Sequence, residues 1–214
     1  RVISKENGGH GSTINRGIQE ARGRYFKVVD GDDWVNTGDF GKLVKALKTC
    51  EADYVVTNYY EVNDKTGDKT PRDYKELSGK EIWKFQEAAS VTQFSMHALV
   101  IKTEILKNNH IRLDEHCFYV DVEYILYPVP YVNTVQFLDL YVYMYRLAVT
   151  TQSVSLQGYQ KHMQNHIDVI FHLTEFFEKY AKSGSPEKIE YIGKRIAQMV
   201  GDQITIFVSF PETD

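Results

Sequence analysis

Apolar and polar positions along this chain repeat with two different periods, and each change of period marks an element. Arg1 to Lys5 reads as a strand running into a loop that holds Gly8, Gly9 and Gly11. A short helix follows the glycines and ends at Gly23, and a buried strand then carries Asp30, Asp32 and Asp33 at its tip. Asn36 to Asp39 is a helix start, with Phe40, Leu43, Val44 and Leu47 recurring behind it at helical spacing. Ala52 to Val62 alternates, is rich in Val, Thr and Tyr and reads as a strand, closed into a hairpin by the turn Asn63 to Asp68. Ser78 with Glu81 three residues on predicts a capping box before Ile82, Trp83 and Phe85.

His97 to Ile101 then reads as a strand and Thr103 to Asn108 as a short helix. Phe118 to Tyr127 is a helical turn stopped by Pro128 and Pro130, and Tyr131 to Phe137 and Leu140 to Tyr145 form a pair of strands. From Gly158 the pattern becomes purely helical. Met163, Ile167, Ile170, Phe177 and Ala181 mark one face, widened by Val169, Leu173, Phe176 and Tyr180. Ser183 to Pro186 breaks that helix, and Ile189, Ile192, Ile196, Met199 and Ile206 face inward on the next. The expected organisation is an α/β domain over residues 1–155 and a C-terminal helical hairpin over 156–214.

Composition narrows the function classes. With 43% hydrophobic and 25% charged residues the 214-residue chain has globular values. A formal charge of −4 argues against nucleic-acid binding, which normally shows a basic face. Two cysteines, Cys50 and Cys117, make no disulfide framework, so a reducing cytoplasm is the default location. No apolar run is long enough to cross a bilayer, so association with the inner face of the cell membrane would have to be peripheral. Apolar residues on the terminal hairpin leave a homodimer open as well.

The stretch from Glu6 to Trp34 carries the most chemistry. Ligands of open α/β sheets gather at the carboxyl ends of strands, near Gly-rich turns and helix N-termini. Clustered carboxylates at such a tip can hold Mg²⁺ or Mn²⁺ against phosphate oxygens. The ordered block Asn7-x-Gly9, Asn15-x-Gly17, Ala21-x-Gly23-x-Tyr25 and Val28-Val29-Asp30-Gly31-Asp32-Asp33 resembles the family-2 glycosyltransferases of the GT-A fold. The resemblance covers roughly residues 2–155. It implies a Rossmann-like mixed sheet flanked by helices, and an Asp-x-Asp motif at Asp30 and Asp32 that binds the metal and the diphosphate of a nucleotide-sugar. Asn7, Gly9, Asn15, Asp30 and Arg146 fall on the donor side of that site. The strands that precede this block in the family have no counterpart here, so the chain reads as missing its first strands, a fragment that alone is expected to be inactive.

Inverting members of the family carry an acidic pair at the start of a later helix, whose Asp is the general base. Asp121 matches that position, while Val120 stands in place of the preceding acid. The competing reading makes Asp121 a helix cap and puts Glu123 on a solvated face. Tyr143-x-Tyr145-Arg146, followed by Ser153 and Ser155, resembles a family segment in which Arg146 contacts diphosphate; Arg146 could equally pair with a surface carboxylate. His10, in the Gly loop, could approach phosphate, with loop filler the safer reading. His162 and His166 lack the Glu of a zinc-protease motif.

The resemblance therefore implies an inverting, metal-dependent glycosyltransferase. It would move a sugar from a nucleotide-sugar, most simply a UDP-sugar, to a hydroxyl of a polysaccharide or lipid-linked glycan. Two alternatives stay open: a nucleotidyltransferase of related architecture, and a non-catalytic binding or assembly module with a vestigial site.

Overall fold

Tyr54, Val55, Val56 and Thr57 are all shut off from solvent, so strand β3 (Tyr54–Asn63) is covered on both faces. Its first five residues are therefore buried in succession, instead of alternating as the sequence reading expects. The computed structural model describes residues 1–147 and 156–210. Around β3 it assembles a seven-stranded sheet from β1 (Tyr25–Phe26), β2 (Trp34–Val35), β4 (Lys69–Arg72), β5 (Trp83–Lys84), β6 (Leu99–Lys102) and β7 (Thr134–Leu147). The main order is β1-β6-β3-β7-β2, with β4 on β3 and β5 on β7. Only the β3–β7 pairing is parallel, so the sheet is mixed.

Helices cover both faces unequally. Helix α2 (Thr37–Ala46) lies on one, where Leu43 packs with Cys50, Ala52, Val55, Val100 and Val142. Residues of α1 (Gly9–Glu20), α3 (Phe85–Val91), α4 (Thr103–Asn108) and α5 (Asp121–Leu126) share the larger core with Tyr54 and Val56. The C-terminal helices α6 (Leu156–Lys161), α7 (Met163–Tyr180) and α8 (Pro186–Val208) follow, and α7 and α8 add Val169, Leu173, Tyr191, Ile192 and Met199 to that same core. Tyr191 fastens α8 to the segment after α3: its hydroxyl accepts from the Phe94 N–H at 3.0 Å and its carbonyl from Gln93 at 3.1 Å.

Several elements arise as the local sequence dictates. Asn36 caps α2 by accepting from the Gly38 and Asp39 N–H groups, and Asp39 favours its first turn. The hairpin between β3 and β4 closes through Asn63 and Asp68. Tyr180 ends α7, the Gly184 N–H returns to the Tyr180 carbonyl, and Pro186 occupies the first turn of α8.

Other elements differ from the sequence reading. Residues 1–8 carry no regular secondary structure, so Arg1 to Lys5 is not a strand. Helix α1 stops at Glu20, where Ala21 turns extended with ψ 131°, rather than at Gly23. The strand before the aspartates is only Tyr25–Phe26, and Val29 is exposed. Ser78 caps no α-helix: Trp83 and Lys84 pair with Val135 and Thr134 of β7, and α3 begins only at Phe85. The two expected strands at 131–137 and 140–145 are one, because β3 runs alongside for the whole length. Their apparent break is a bulge between Leu138 and Tyr141, where the Asp139 carboxylate accepts from Asn58 at 2.7 Å. On α7 the stripe expected only to widen the face is the buried one, through Val169 and Leu173, and Ala181 lies beyond the helix and exposed.

Candidate functional site

The Gly loop is built by conformational necessity. Gly9 sits at φ +80°, a region costly for a residue with a Cβ, and the Asn7 side chain accepts from its N–H at 3.0 Å. Gly11 lies so close to the loop before α5 that an added Cβ would stand 2.0 Å from the Asp114 carbonyl oxygen. The same loop is tied at Gly8, whose carbonyl accepts from the His116 N–H. Asn15 completes the clamp. It is buried, donates to the Leu113 carbonyl at 2.8 Å and to Glu115 at 3.1 Å, and accepts from the Leu113 N–H at 2.9 Å. Its amide is thereby committed to holding α1 against the 113–115 segment, which leaves it a positioning part rather than a ligand-facing one.

The aspartate tip is held from β7. Trp34 and Val35 pair with Met144 and Tyr143, which brings Asp33 alongside Tyr143 and Arg146. The Tyr143 hydroxyl donates to Asp33 at 2.6 Å and accepts from the Asp30 N–H at 3.1 Å. The Arg146 N–H donates to Asp33 at 2.8 Å, and its side chain reaches the Asp32 carbonyl at 2.7 Å and the Asp64 carboxylate at 3.4 Å. Arg146 thus braces the tip as well as lying beside it. The serines of the neighbouring segment, Ser153 and Ser155, lie outside the described residues.

His10, on the first turn of α1, meets Asp30 at 2.9 Å. That hydrogen bond, with the charges of Asp30, Asp121 and Asp32 behind it, raises the His10 pKa against the opposing effect of burial. Burial works against ionising Asp30, but His10, His97 and Tyr143 together outweigh it and its pKa is lowered. Burial pushes Asp33 up to about 6 and His97 down to about 4, so the imidazole is neutral at pH 7. His97 is fixed by Ser95 at 2.8 Å and by a stack on Tyr145 with ring centres 4.0 Å apart.

Among the described residues, Asp30, Asp33 and His97 bring ligand atoms within 4.8 Å of one another. Two carboxylates and a neutral imidazole suit a divalent ion such as Mn²⁺ better than a purely oxygen-seeking one. Asp32, expected to share the metal with Asp30, is not in that group and its side chain is exposed at the turn. Asp33 lies in it because Tyr143 and Arg146 of β7 hold its carboxylate. The signals that could have found the others were present: a polar His97 in an apolar strand pattern, and a Tyr-x-Tyr-Arg segment whose first tyrosine holds two aspartates.

Asp121 opens α5 and is half-buried, within electrostatic reach of His10, Asp30 and Arg195. Burial raises its pKa, with Arg195 and His10 opposing. The position of Asp121 is therefore one with the aspartate tip, although 91 residues separate it from Asp30 (121 − 30). Glu123, by contrast, is not on a solvated face: it has no solvent exposure, and its carboxylate accepts from the Asp114 N–H and the Tyr127 hydroxyl. His166 Nδ1 donates to the Gln203 side-chain oxygen at 2.9 Å inside the helical layer, an ordinary core role.

A mixed sheet with a Gly loop, a helix N-terminus and clustered carboxylates at one end has the arrangement in which open α/β sheets bind their ligands. The chain belongs to glycosyl transferase family 2, whose signature matches residues 1–108. It is 31% identical over 139 residues to the glycosyltransferase GlyG of Streptococcus pneumoniae, covering 56% of this chain and 46% of that one. To the uncharacterized glycosyltransferase EpsJ of Bacillus subtilis it is 26% identical over 192 residues, covering 86% of this chain and 55% of the relative. The chain therefore spans about half the length of these relatives. Its fold is similar to that of S. aureus TarS in complex with UDP-GlcNAc, with a TM-score of 0.51 at 15% identity over 97% of this chain and 55% of TarS. The sheet and its helices are thus GT-A-like. Among the described residues no helix is long and apolar enough to cross a membrane.

Proposed function

We propose that this chain carries the donor and base half-sites of a metal-dependent, inverting glycosyltransferase that uses a nucleotide-sugar, a UDP-sugar in the first instance. The observation that carries the reading is the convergence of the Asp30–Asp33 tip, His10 and Asp121 on one end of the sheet. The S. aureus TarS structure is a complex with UDP-GlcNAc, which supports the donor class here. The first turn of α1 carries no acidic residue, so its N–H groups favour a diphosphate, with Asn7 and Gly9 shaping the approach.

Asp30, Asp33 and His97 would hold a divalent cation, with Asp32 exposed beside them, and such an ion offsets the charge of a departing nucleoside diphosphate. Arg146 holds the Asp32 turn through the Asp32 carbonyl. Asp121 takes the proton from the acceptor hydroxyl. Its raised pKa makes it a stronger base than an exposed aspartate, while Arg195 and His10 favour the ionised form it needs. The acceptor is a hydroxyl of a polysaccharide or lipid-linked glycan, made at the cytoplasmic face of the membrane.

The test, on full-length protein, measures nucleoside diphosphate release and glycan transfer from UDP-sugars with Mn²⁺ or Mg²⁺ present. Chelation abolishes transfer, and Asp121→Asn lowers the chemical step by about a hundredfold or more while donor binding survives. Full turnover in chelator removes the metal role. Near-normal turnover in Asp121→Asn removes the base.

A further inference from the structure

The ladder between β1 and β6 is only two residues long. Tyr25 pairs with Lys102 and Phe26 with Ile101, and past that point the chain leaves β6 on its way to the aspartate turn. Its departure deprives β6 of a backbone partner. The Ala98 carbonyl turns to β3, accepting from the Thr57 N–H at 3.0 Å. The carbonyls on either side of it, those of His97 and Leu99, are taken by a side chain instead. Lys27 Nζ donates to the His97 carbonyl at 2.7 Å and to the Leu99 carbonyl at 3.2 Å. Leu99 has no solvent exposure, so without a donor its carbonyl would carry the cost of a buried unpaired group. The same amine lies over the Tyr143 ring, 5.3 Å from its centre.

Both of these partners belong to the site. His97 is one of the three residues whose ligand atoms converge, and the Tyr143 hydroxyl holds the other two through the Asp33 carboxylate and the Asp30 N–H. The His97 ring meets Tyr143 edge-on, with centres 4.9 Å apart. Lys27 thus touches the support of every member of the cluster, three residues before Asp30, while offering no ligand atom itself. Lys107 makes the same kind of contact in a purely structural setting. Its Nζ donates to the Gln19 and Ala21 carbonyls at 3.1 and 2.6 Å, closing the end of α1 opposite to His10.

We propose that Lys27 is a positioning residue: by bridging the gap where the chain leaves β6, it sets the place at which His97 and Tyr143 meet Asp30 and Asp33. The inference rests on reading Asp30, Asp33 and His97 as one site. The bridge consists of hydrogen bonds within the chain, so it acts whether or not a cation is bound.

The test compares Lys27→Met, which keeps the apolar stem over Tyr143 and removes the donor, with Lys107→Met, which removes the corresponding donor at the end of α1. The first measurement is the His97 ring resonance in the NMR spectrum of the metal-free chain, identified by its loss in His97→Gln. Its position reports the stack on Tyr145 at 4.0 Å and the edge contact with Tyr143. Lys27→Met shifts it and Lys107→Met leaves it in place. Lys27→Gln, whose amide is too short to span both carbonyls, shifts it as well and serves if the Met variant does not fold. The second measurement is Mn²⁺ titration. Lys27→Met weakens Mn²⁺ binding by about 10–100-fold, the range for losing a group that orients a ligand, and Lys107→Met does not. A His97 resonance unmoved in the Lys27 variants, or moved as far by Lys107→Met, overturns the proposal. A wild-type chain that binds no Mn²⁺ overturns the metal reading of the cluster instead, and the His97 resonance then decides the role of Lys27.

Discussion

At the scale of single residues, the site is governed by which carboxylates are drawn inward. Asp30 and Asp33 are held by Tyr143 and keep company with His97, whereas Asp32 stays at the exposed turn. The residue types were readable, but which of three neighbouring aspartates faces inward was not. It depends on a tyrosine 110 residues further along the chain. Glu123 shows the same limit. Burial pushes its pKa up to about 7 from an ordinary 4.5, with Asp114 adding to the rise. Over that interval the folded state of the metal-free chain binds more protons than the unfolded one, so the contribution of Glu123 is present below pH 4.5 and lost as pH rises through about 7. Stability against urea should therefore fall between these two values in wild type, and Glu123→Gln, which keeps a hydrogen-bonding group without the charge, should flatten the slope. An unchanged slope in that variant would assign the proton to another group.

At the scale of elements, short-range chemistry was legible where an element's ends are set by its own residues. Asn36 caps α2, Thr103–Asn108 forms α4 as its spacing predicts, and the turn after β3 closes the hairpin. Elements defined by partners were not. The strands expected at 131–137 and 140–145 are a single β7, since Asp139 answers to Asn58 across the sheet rather than making a turn. Ser78 and Glu81 have the residues of a capping box, but Trp83 is claimed by β7. The Gly loop marks the boundary between the two cases. Its glycines were visible, yet only the packed structure shows that Gly11 is needed for the approach of α1 to the Asp114 carbonyl. Gly11→Ala should lower stability by about 1–3 kcal/mol through overpacking, read as a lower urea midpoint, and should loosen the segment leading to Asp121. A midpoint equal to wild type would show that α1 can shift away without loss.

At the scale of the molecule, the C-terminal helices and the sheet share one core. Val169, Leu173, Tyr191 and Ile192 pack in the same cluster as Tyr54, Phe85 and Leu126. Leu173→Ala should then cost about 2–5 kcal/mol and lower the unfolding midpoint of the sheet together with that of the helices. Separate transitions for helical and tertiary signals would show instead that the hairpin unfolds by itself. By itself the sequence determined the α/β class, the helical character of the last third, the glycosyltransferase family and the chemical types gathered in the Glu6–Trp34 block. These follow from spacing, capping and turn preference, which act between residues a few positions apart. Tertiary structure alone decided the mixed sheet order, the choice of Asp33 over Asp32 beside Asp30, the arrival of His97, and the burial of Glu123 against Asp114 and His172. Those outcomes depend on which distant segments exclude water from one another, and a linear pattern of residue types does not carry that information.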